Sequence, residues 1–326
     1  MMLVLDASDG TNERGEGAEL MGEAVEALWP VDAFGLRRRF TDAEFCPEEV
    51  PTGEQVALLL SLLGLYADRG LAPATRPLCA CCPQAGPCWR SASAARRMPS
   101  LAAPEDGGII LPWVGGGYRP GGVLVIAVNP NIADTDVTHL LSEHEITWDR
   151  HHRSLANGQR VDEGSNFAYR MARSAAPLLD SLDGRGITDR ERPQDLLGSL
   201  HRIARLQSVK CVPRRERSRP TSAMQWICPE FLLEQELAVL RPGVILTLGN
   251  IPDAAVAQLL GYEDLDSEGS EFLWRHRLTE AWGRAEIFSM PHPADPRNGW
   301  EAGHRELLSR LQRDWPRPRS LASGSS

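Results

Sequence analysis

Short apolar runs alternate with segments of helical periodicity from residue 123 to residue 313. Four apolar runs have the length of buried strands. They lie at 123–128, 205–209, 244–249 and 286–290. The helical patterns lie at 166–182, 194–204, 229–241, 252–261 and 301–313. Strands that alternate with helices form parallel sheets covered on both faces, so this pattern predicts an α/β fold with a short parallel four-stranded sheet between helices.

The segment before this alternation has a different pattern. Apolar residues recur at helical spacing in 16–29 and 53–69, with Pro51 between the two stretches. The stretch 71–122 is rich in cysteine, proline and glycine and predicts only one short strand, within 108–113. These features divide the chain into a helical N-terminal extension (1–70), an α/β domain (71–315) and a disordered tail (316–326).

Composition and charge restrict the class of protein. The chain is 42% hydrophobic and 24% charged, as globular proteins are, and 35 basic residues against 44 acidic residues give a net charge of −9. This acidity argues against non-specific coating of nucleic acid and leaves room for a local basic cleft. The apolar run 56–66 is too short to span a bilayer, and the N-terminus has no secretory pattern. We therefore expect a cytoplasmic monomer without a membrane partner.

The seven cysteines have an uneven distribution. Four crowd into ten residues, two lie far downstream and one stands alone: Cys79, Cys81, Cys82 and Cys88; Cys211 and Cys228; and Cys46. A disulfide framework is not expected in a cytoplasmic chain. One tight loop followed by two later cysteines is the arrangement that a thiolate-bound metal or cluster needs.

Polar or unusual residues follow each predicted strand. They are "NPN" after the first strand, "KC" after the second, "GN" after the third and "HP" after the fourth. In parallel α/β sheets the ligand site lies beyond the carboxyl ends of the strands. The pattern therefore predicts one site built from these four segments.

These segments carry a resemblance to a known family. "VLVIAVNPN", "GSNF", "SVKCVPRRERSRP…WICPEFLLEQELAVLRPGVILTLG" and "MPHPAD" occur in this order, and the chain over about 78–313 resembles the uracil-DNA glycosylase superfamily. The middle block is most similar to the iron–sulfur branch, family 4. Each motif alone is weak, and four in register with the cysteines are specific. The resemblance implies a DNA glycosylase that hydrolyses the N-glycosidic bond of a flipped pyrimidine in DNA and leaves an abasic site.

The resemblance also implies a metal centre. Its ligands would be Cys82, Cys88, Cys211 and Cys228, and they would hold a structural [4Fe–4S] cluster. Cys79 and Cys81 stay open as alternatives for the first ligand. A structural zinc ion is the alternative cofactor, because all-thiolate sites suit either metal.

Three residues match the catalytic and stacking positions of the family. Asn129 would orient the attacking water, and its alternative role is that of a turn residue before a proline. His292 would donate a hydrogen bond to the pyrimidine O2, and its alternative is a surface histidine after a strand. Phe167 would stack on the flipped base, and its alternative is an ordinary core residue.

Other positions depart from the family and bear on the substrate. Gln207 stands where the family has a base-reading asparagine, and Asn131 stands where classical uracil enzymes have a bulky aromatic residue that excludes 5-substituted pyrimidines. By the resemblance, Arg297 would lie in the loop that inserts into the duplex. The insertion 132–163 is expected to form a lid over the pocket, and its alternative is a variable surface loop. The substrate is therefore expected to be uracil or a bulky 5-modified pyrimidine, such as glucosylated hydroxymethylcytosine of phage DNA.

Two other classes of protein remain as alternatives to the glycosylase. An iron–sulfur redox protein would have the cluster and form no abasic product. A catalytically inactive DNA-binding relative would bind DNA regardless of what stands at position 129.

Overall fold

The computed structural model describes ten ranges of the chain. They are 53–71, 82–89, 108–109, 112–128, 167–212, 220–260, 268–269, 272–280, 283–293 and 299–314. The predicted helix at 16–29 and the predicted tail 316–326 lie outside these residues. Within them, no helix has both the length and the apolar character needed to cross a membrane.

The strands, numbered in chain order, form one main sheet and one small antiparallel pair among the described residues. They are β1 (Gly108–Ile109), β2 (Trp113–Val114), β3 (Val123–Ala127), β4 (Ile203–Gln207), β5 (Cys211–Val212), β6 (Val244–Leu248), β7 (Glu268–Gly269), β8 (Trp274–Glu280) and β9 (Gly283–Met290). The main sheet has the order β2-β4-β3-β6-β9-β8-β7, and β1 pairs with β5.

The four central strands of the main sheet are the four that the sequence predicts. Strand β3 is parallel to both β4 and β6, and β6 is parallel to β9. The α/β fold with a parallel four-stranded core is therefore confirmed. The described sheet is wider than four strands, because β2 adds to one edge and β8 and β7 to the other, all antiparallel. Strand β8 reads "WRHRLTE", and these alternating charged residues carry no apolar run that would reveal a strand.

The helices follow most of the predicted segments, but those at 85–89 and 222–228 were not predicted, and residues 203–204, predicted as helix, begin β4. The helices are α1 (Gly53–Asp68), α2 (Ala85–Trp89), α3 (Phe167–Leu182), α4 (Leu197–His201), α5 (Ser222–Cys228), α6 (Glu234–Leu240), α7 (Asn250–Leu260) and α8 (Gly299–Asp314). A 3₁₀ turn precedes α4, and a π-helical turn over Pro229–Leu233 joins α5 to α6. The π-helical turn begins at Pro229, which has no N–H to continue the ladder of α5.

Two hydrophobic clusters cover the two faces of the sheet. Alternate residues of β3 divide between them, with Leu124 and Ile126 in the first cluster and Val123 and Val125 in the second. Helices α1, α6 and α7 supply the first cluster, and α3 and α8 supply the second. Helix α1, which falls in the predicted N-terminal extension, therefore shares a core with the sheet.

A buried ion pair lies next to the first cluster, in contact with Tyr66. Lys210, the only lysine of the chain, places its Nζ 2.7 Å from Oε2 of Glu236, and the two side chains are 2% and 0% exposed. The Tyr66 hydroxyl donates a hydrogen bond to the other carboxylate oxygen of Glu236. The three residues join α1, α6 and the segment that follows β4. Because buried charges are costly unless they are paired, each partner depends on the other.

Replacement of one partner should destabilise the protein strongly. We expect Lys210→Met to lower the free energy of unfolding by about 3–5 kcal/mol, because Glu236 would be left as an uncompensated buried charge. The double variant Lys210→Met/Glu236→Leu should recover most of that loss. Urea denaturation at neutral pH measures both effects.

A surface ion pair provides the matched control. Arg119 and Glu54 lie 2.7 Å apart with exposed side chains, so Glu54→Gln should cost less than about 1 kcal/mol. Equal losses of the free energy of unfolding in Lys210→Met and Glu54→Gln would contradict the role given to the buried pair.

Candidate active site

The carboxyl ends of the four parallel strands meet at one edge of the sheet. Two neighbouring strands stay joined beyond it, since the amides of Ser208 and Val209 each donate 2.8 Å hydrogen bonds to the carbonyls of Ala127 and Val128. The predicted site residues Asn129 and Asn131 come directly after this joined segment and lie outside the described residues. The predicted Arg297 also lies outside them.

Two of the predicted site residues are in contact at this edge. The rings of Phe167 and His292 lie 5.6 Å apart between centroids, with their planes inclined by 32°. Phe167 begins α3, and His292 stands two residues after β9. Both side chains are partly exposed, so a ligand can reach them.

A glycine allows the close approach of the turn that supports His292. Gly249 has φ +103°, and its amide donates a 2.8 Å hydrogen bond to the carbonyl of Met290. A Cβ at this position would lie 3.2 Å from Cβ of His292. The left-handed backbone and the tight contact both favour glycine after β6.

Gln207 ends β4 on the face of the sheet that carries Phe167. Residues 203, 205 and 207 share one face of the strand, and Ile203 belongs to the second cluster together with α3. Gln207 is 1% exposed. The predicted base-reading residue therefore lies on the same face and at the same edge as the Phe167–His292 contact.

Arg205 is a site residue that the sequence analysis missed. Its guanidinium carbon lies 4.8 Å from the centroid of the Phe167 ring, and the residue is only 5% exposed. Contacts of this kind between a guanidinium group and an aromatic face are attractive. The sequence did contain a sign of it, because Arg205 lies in a predicted strand with neighbouring strands on both sides. Such a strand has no side that faces solvent, so a charged residue in it is unusual.

An ionic network holds α3 against α8. Nε and Nη2 of Arg173 donate to the two carboxylate oxygens of Asp189 at 2.8 and 2.5 Å, and Nε2 of His304 lies 3.1 Å from Oδ1 of Asp189. The hydrogen bond from Arg173 lowers the pKa of Asp189 to about 2. Burial is the main cause that lowers the pKa of His304.

The same two helices position the loop after β9. Arg170 of α3 donates a hydrogen bond to the carbonyl of Pro293, and its guanidinium carbon lies 5.2 Å from the centroid of the Trp300 ring. Trp300 stacks on His304 at 5.2 Å. His292, one residue before Pro293, is thus tied to α3 and α8.

Three of the predicted metal ligands line one cavity. Cys82, Cys88 and Cys228 line this cavity together with apolar groups that include Met224 and Phe231. The backbone amide of Lys210 donates to Sγ of Cys228 at 3.3 Å. Hydrogen bonds to sulfur are a feature of protein-bound iron–sulfur clusters.

The fourth predicted ligand follows Lys210 in the chain. The backbone of Cys211 pairs with Ile109 in the β1–β5 ladder, and its side chain is not among the described atoms. Among the described residues, no three histidine, cysteine or acidic side chains are close enough to hold a single metal ion. Cys79 and Cys81 lie outside those residues. The cavity fits a thiolate-bound group in the type of residue it offers, since three of its lining residues are cysteines and most of the others are apolar.

Comparison with known families decides the relationship of the chain. Residues 153–314 match the family model described as the Uracil DNA glycosylase superfamily. Residues 153–314 form a domain of this superfamily. No curated protein matches it. The matched range includes Phe167, Gln207 and His292, whereas the first predicted motif and the first two predicted cluster ligands precede it.

Membership gives the candidate active site a general chemistry. Proteins of the uracil-DNA glycosylase superfamily are typically DNA glycosylases and act on DNA. The Phe167–His292 contact lies where such chemistry is expected in an α/β sheet, beyond the carboxyl ends of the parallel strands.

The ionic network predicts a loss of stability at low pH. The pKa of Asp189 is lower in the folded protein than in the unfolded chain, so its contribution is present above about pH 4 and disappears as the pH falls toward 2. The carboxylate is partly exposed, and we expect Asp189→Asn to cost about 1–2 kcal/mol at pH 7. The difference between wild type and variant should shrink below pH 4 in urea denaturation curves.

His304 adds a second range of pH. Its pKa is lowered on folding, so the neutral imidazole is favoured and wild-type stability should decline as the pH falls below about 6.5.

Asp183→Asn, which removes a surface partner of Arg202, is the control for Asp189→Asn and should cost less than about 1 kcal/mol. An Asp189→Asn effect of equal size at pH 7 and pH 3 would contradict the assignment.

Proposed function

We propose that the protein is a DNA glycosylase that hydrolyses the N-glycosidic bond of a flipped pyrimidine and leaves an abasic site. The observation that carries the proposal is the contact between Phe167 and His292 at the carboxyl edge of the parallel sheet, in a chain of this superfamily. A base within a duplex is out of reach of such a site, so it must be flipped out of the stack.

The reaction needs a different group for each charge that develops. The bond between C1′ of the sugar and N1 of the base breaks, and its electron pair leaves with the pyrimidine. Water adds its oxygen to C1′, and its proton is transferred to the departing base, so a free base and an abasic sugar result. His292 would donate a hydrogen bond to the pyrimidine O2 as negative charge accumulates there. Phe167 would stack on the base and Gln207 would hydrogen-bond its edge.

Asn129 is proposed to orient the attacking water. It follows Val128, whose carbonyl is held by the hydrogen bond from Val209 at the edge of the sheet. A neutral amide has both a donor and an acceptor and cannot act as a general base. Its contribution is therefore orientation of the water along the line of attack.

The proposed substrate is a pyrimidine with a bulky 5-substituent, with uracil as the alternative. Gln207 offers the groups of asparagine displaced by one methylene, and Asn131 leaves the 5-position without an aromatic barrier. The insertion 132–163 can supply polar contacts to a substituent. A site that hydrogen-bonds a substituent rejects the analogue that lacks it by up to about 10⁴–10⁵. Glucosylated hydroxymethylcytosine of phage DNA has this chemistry, which makes anti-phage defence the corresponding role and DNA repair the role for uracil.

Incubation with defined DNA tests the function. The protein is mixed with uracil-containing oligonucleotides and with phage DNA that carries glucosylated hydroxymethylcytosine, and alkali-labile abasic sites are counted. We expect abasic sites in the modified DNA, and a loss of about 10²–10³ in turnover for Asn129→Ala and for His292→Ala, the usual effect of removing an orienting or charge-stabilising group. Binding to DNA that already contains an abasic site should survive.

His201 provides a matched control for His292. It ends α4, away from the carboxyl edge of the parallel strands, so His201→Ala should leave turnover unchanged. Full activity of His292→Ala would refute the assigned site, and excision of uracil alone would assign uracil as the substrate. Abasic sites in neither DNA would favour a redox or DNA-binding protein.

The cysteine cavity is proposed to hold a structural [4Fe–4S] cluster, with zinc as the alternative. Cys82, Cys88, Cys211 and Cys228 would be its ligands. The support is the shared cavity of three of these cysteines and the hydrogen bond from the Lys210 amide to Cys228. A cluster there would link the loop before α2 to the segment after β4. It has no part in the hydrolysis.

Metal analysis of protein purified without oxygen tests this centre. We expect brown protein with about four irons per chain, and loss of both iron and stability in Cys228→Ser. Cys46→Ser, which changes the isolated cysteine, is the control and should retain the metal. Colourless protein with stoichiometric zinc would refute the iron assignment, and protein without metal would refute the site.

A further inference from the structure

A buried positive charge lies against the candidate base-stacking ring. The guanidinium carbon of Arg205 is 4.8 Å from the centroid of Phe167, and the same ring contacts His292 at 5.6 Å. The three side chains thus form a continuous series at the edge of the sheet. Gln207 lies two residues beyond Arg205 on the same face of β4.

The surroundings of Arg205 increase the reach of its charge. The residue is 5% exposed, and its strand lies between β2 and β3, so water screens the guanidinium group little. Packing between Phe167 and the sheet fixes the position of the Arg205 guanidinium group. A fixed charge in a dry site stabilises a developing opposite charge without reorganisation at the moment of reaction.

We infer that Arg205 stabilises the negative charge of the departing pyrimidine and so sets how strongly the rate depends on the leaving-group acidity of the base. The inference rests on the proposed glycosylase function. When the C1′–N1 bond breaks, its electron pair spreads over the pyrimidine ring next to Phe167. The charge of Arg205 then lies 4.8 Å from the centre of the ring on which this anion stacks, while His292 donates to one of its oxygens. A base that is a poor leaving group needs this help more than one that is already a good leaving group.

The test compares pairs of bases of similar size that differ in electron withdrawal. One pair is uracil and 5-fluorouracil, and the other is 5-hydroxymethylcytosine and 5-formylcytosine, each placed in the same oligonucleotide. Single-turnover rates are measured for wild type, Arg205→Met and Arg205→Lys. We expect Arg205→Met to slow excision of the poorer leaving group about tenfold more than excision of the better one, so the ratio of the two rates increases. Arg205→Lys keeps the charge and should keep a ratio near that of wild type.

Arg275 provides a matched control on the same sheet. It is also 5% exposed, and its guanidinium carbon lies 5.5 Å from the centroid of the Phe288 ring. Carboxylates of Glu286 and Asp314 lie 3.0 Å from its guanidinium nitrogens. Arg275→Met should lower stability and leave the ratio between the two bases unchanged.

The possible outcomes separate this inference from the proposed function. Equal slowing of both bases by Arg205→Met would overturn the inference, because a merely structural role affects all substrates alike. If Arg205→Met does not fold, the ratio of the rate for the better leaving group to the rate for the poorer one is compared in Arg205→Lys and Arg205→Gln. A wild-type ratio in Arg205→Lys with an increased ratio in Arg205→Gln supports the inference. An unchanged ratio in both variants overturns it. Absence of excision by wild type from every substrate would overturn the glycosylase function and the inference together.

Discussion

The ion pair between Lys210 and Glu236 lies where three parts of the chain meet. The Lys210 side chain reaches into the core under α1 and α6, whereas its backbone amide donates to Cys228 at the cysteine cavity. Three residues earlier, Gln207 ends β4 at the candidate active site. Each buried charge is strongly destabilising unless its partner is in place. The pair therefore fixes the path of the chain between the candidate active site and the cysteine cavity.

This arrangement makes the end of β4 the common element of the candidate active site and the proposed metal centre. Between Arg205 and Cys211 the chain passes from contact with Phe167, through the buried lysine, to the ladder with β1. Fewer than ten residues of chain therefore separate the cysteine cavity from the Phe167 contact. The proposed cluster would act on the site through this geometry, with no electron transfer needed.

The sequence predicts the parts of this structure that depend on local pattern. The four parallel strands are apolar runs buried on both faces, and the polar segments after them meet at one edge for that reason. Strand β8 was missed because polar residues such as Arg275 and His276, buried in the structure, leave it without an apolar run. The π-helical turn at Pro229 was missed because periodicity does not reveal such turns. The partner of Lys210 was beyond prediction, since Glu236 is distant in sequence and resembles any helical glutamate.

Arg205 illustrates the same limit and also explains why the missed residues matter. A chain with a net charge of −9 is repelled by DNA at long range, so attraction must come from charges concentrated in the site. A surface arginine is screened by salt, whereas one buried against Phe167 acts over a short distance in a dry environment. In the proposed reaction an acidic protein holds an anionic base, and a cation inside the sheet would meet this need at a position where hydrophobic periodicity gives no sign of it.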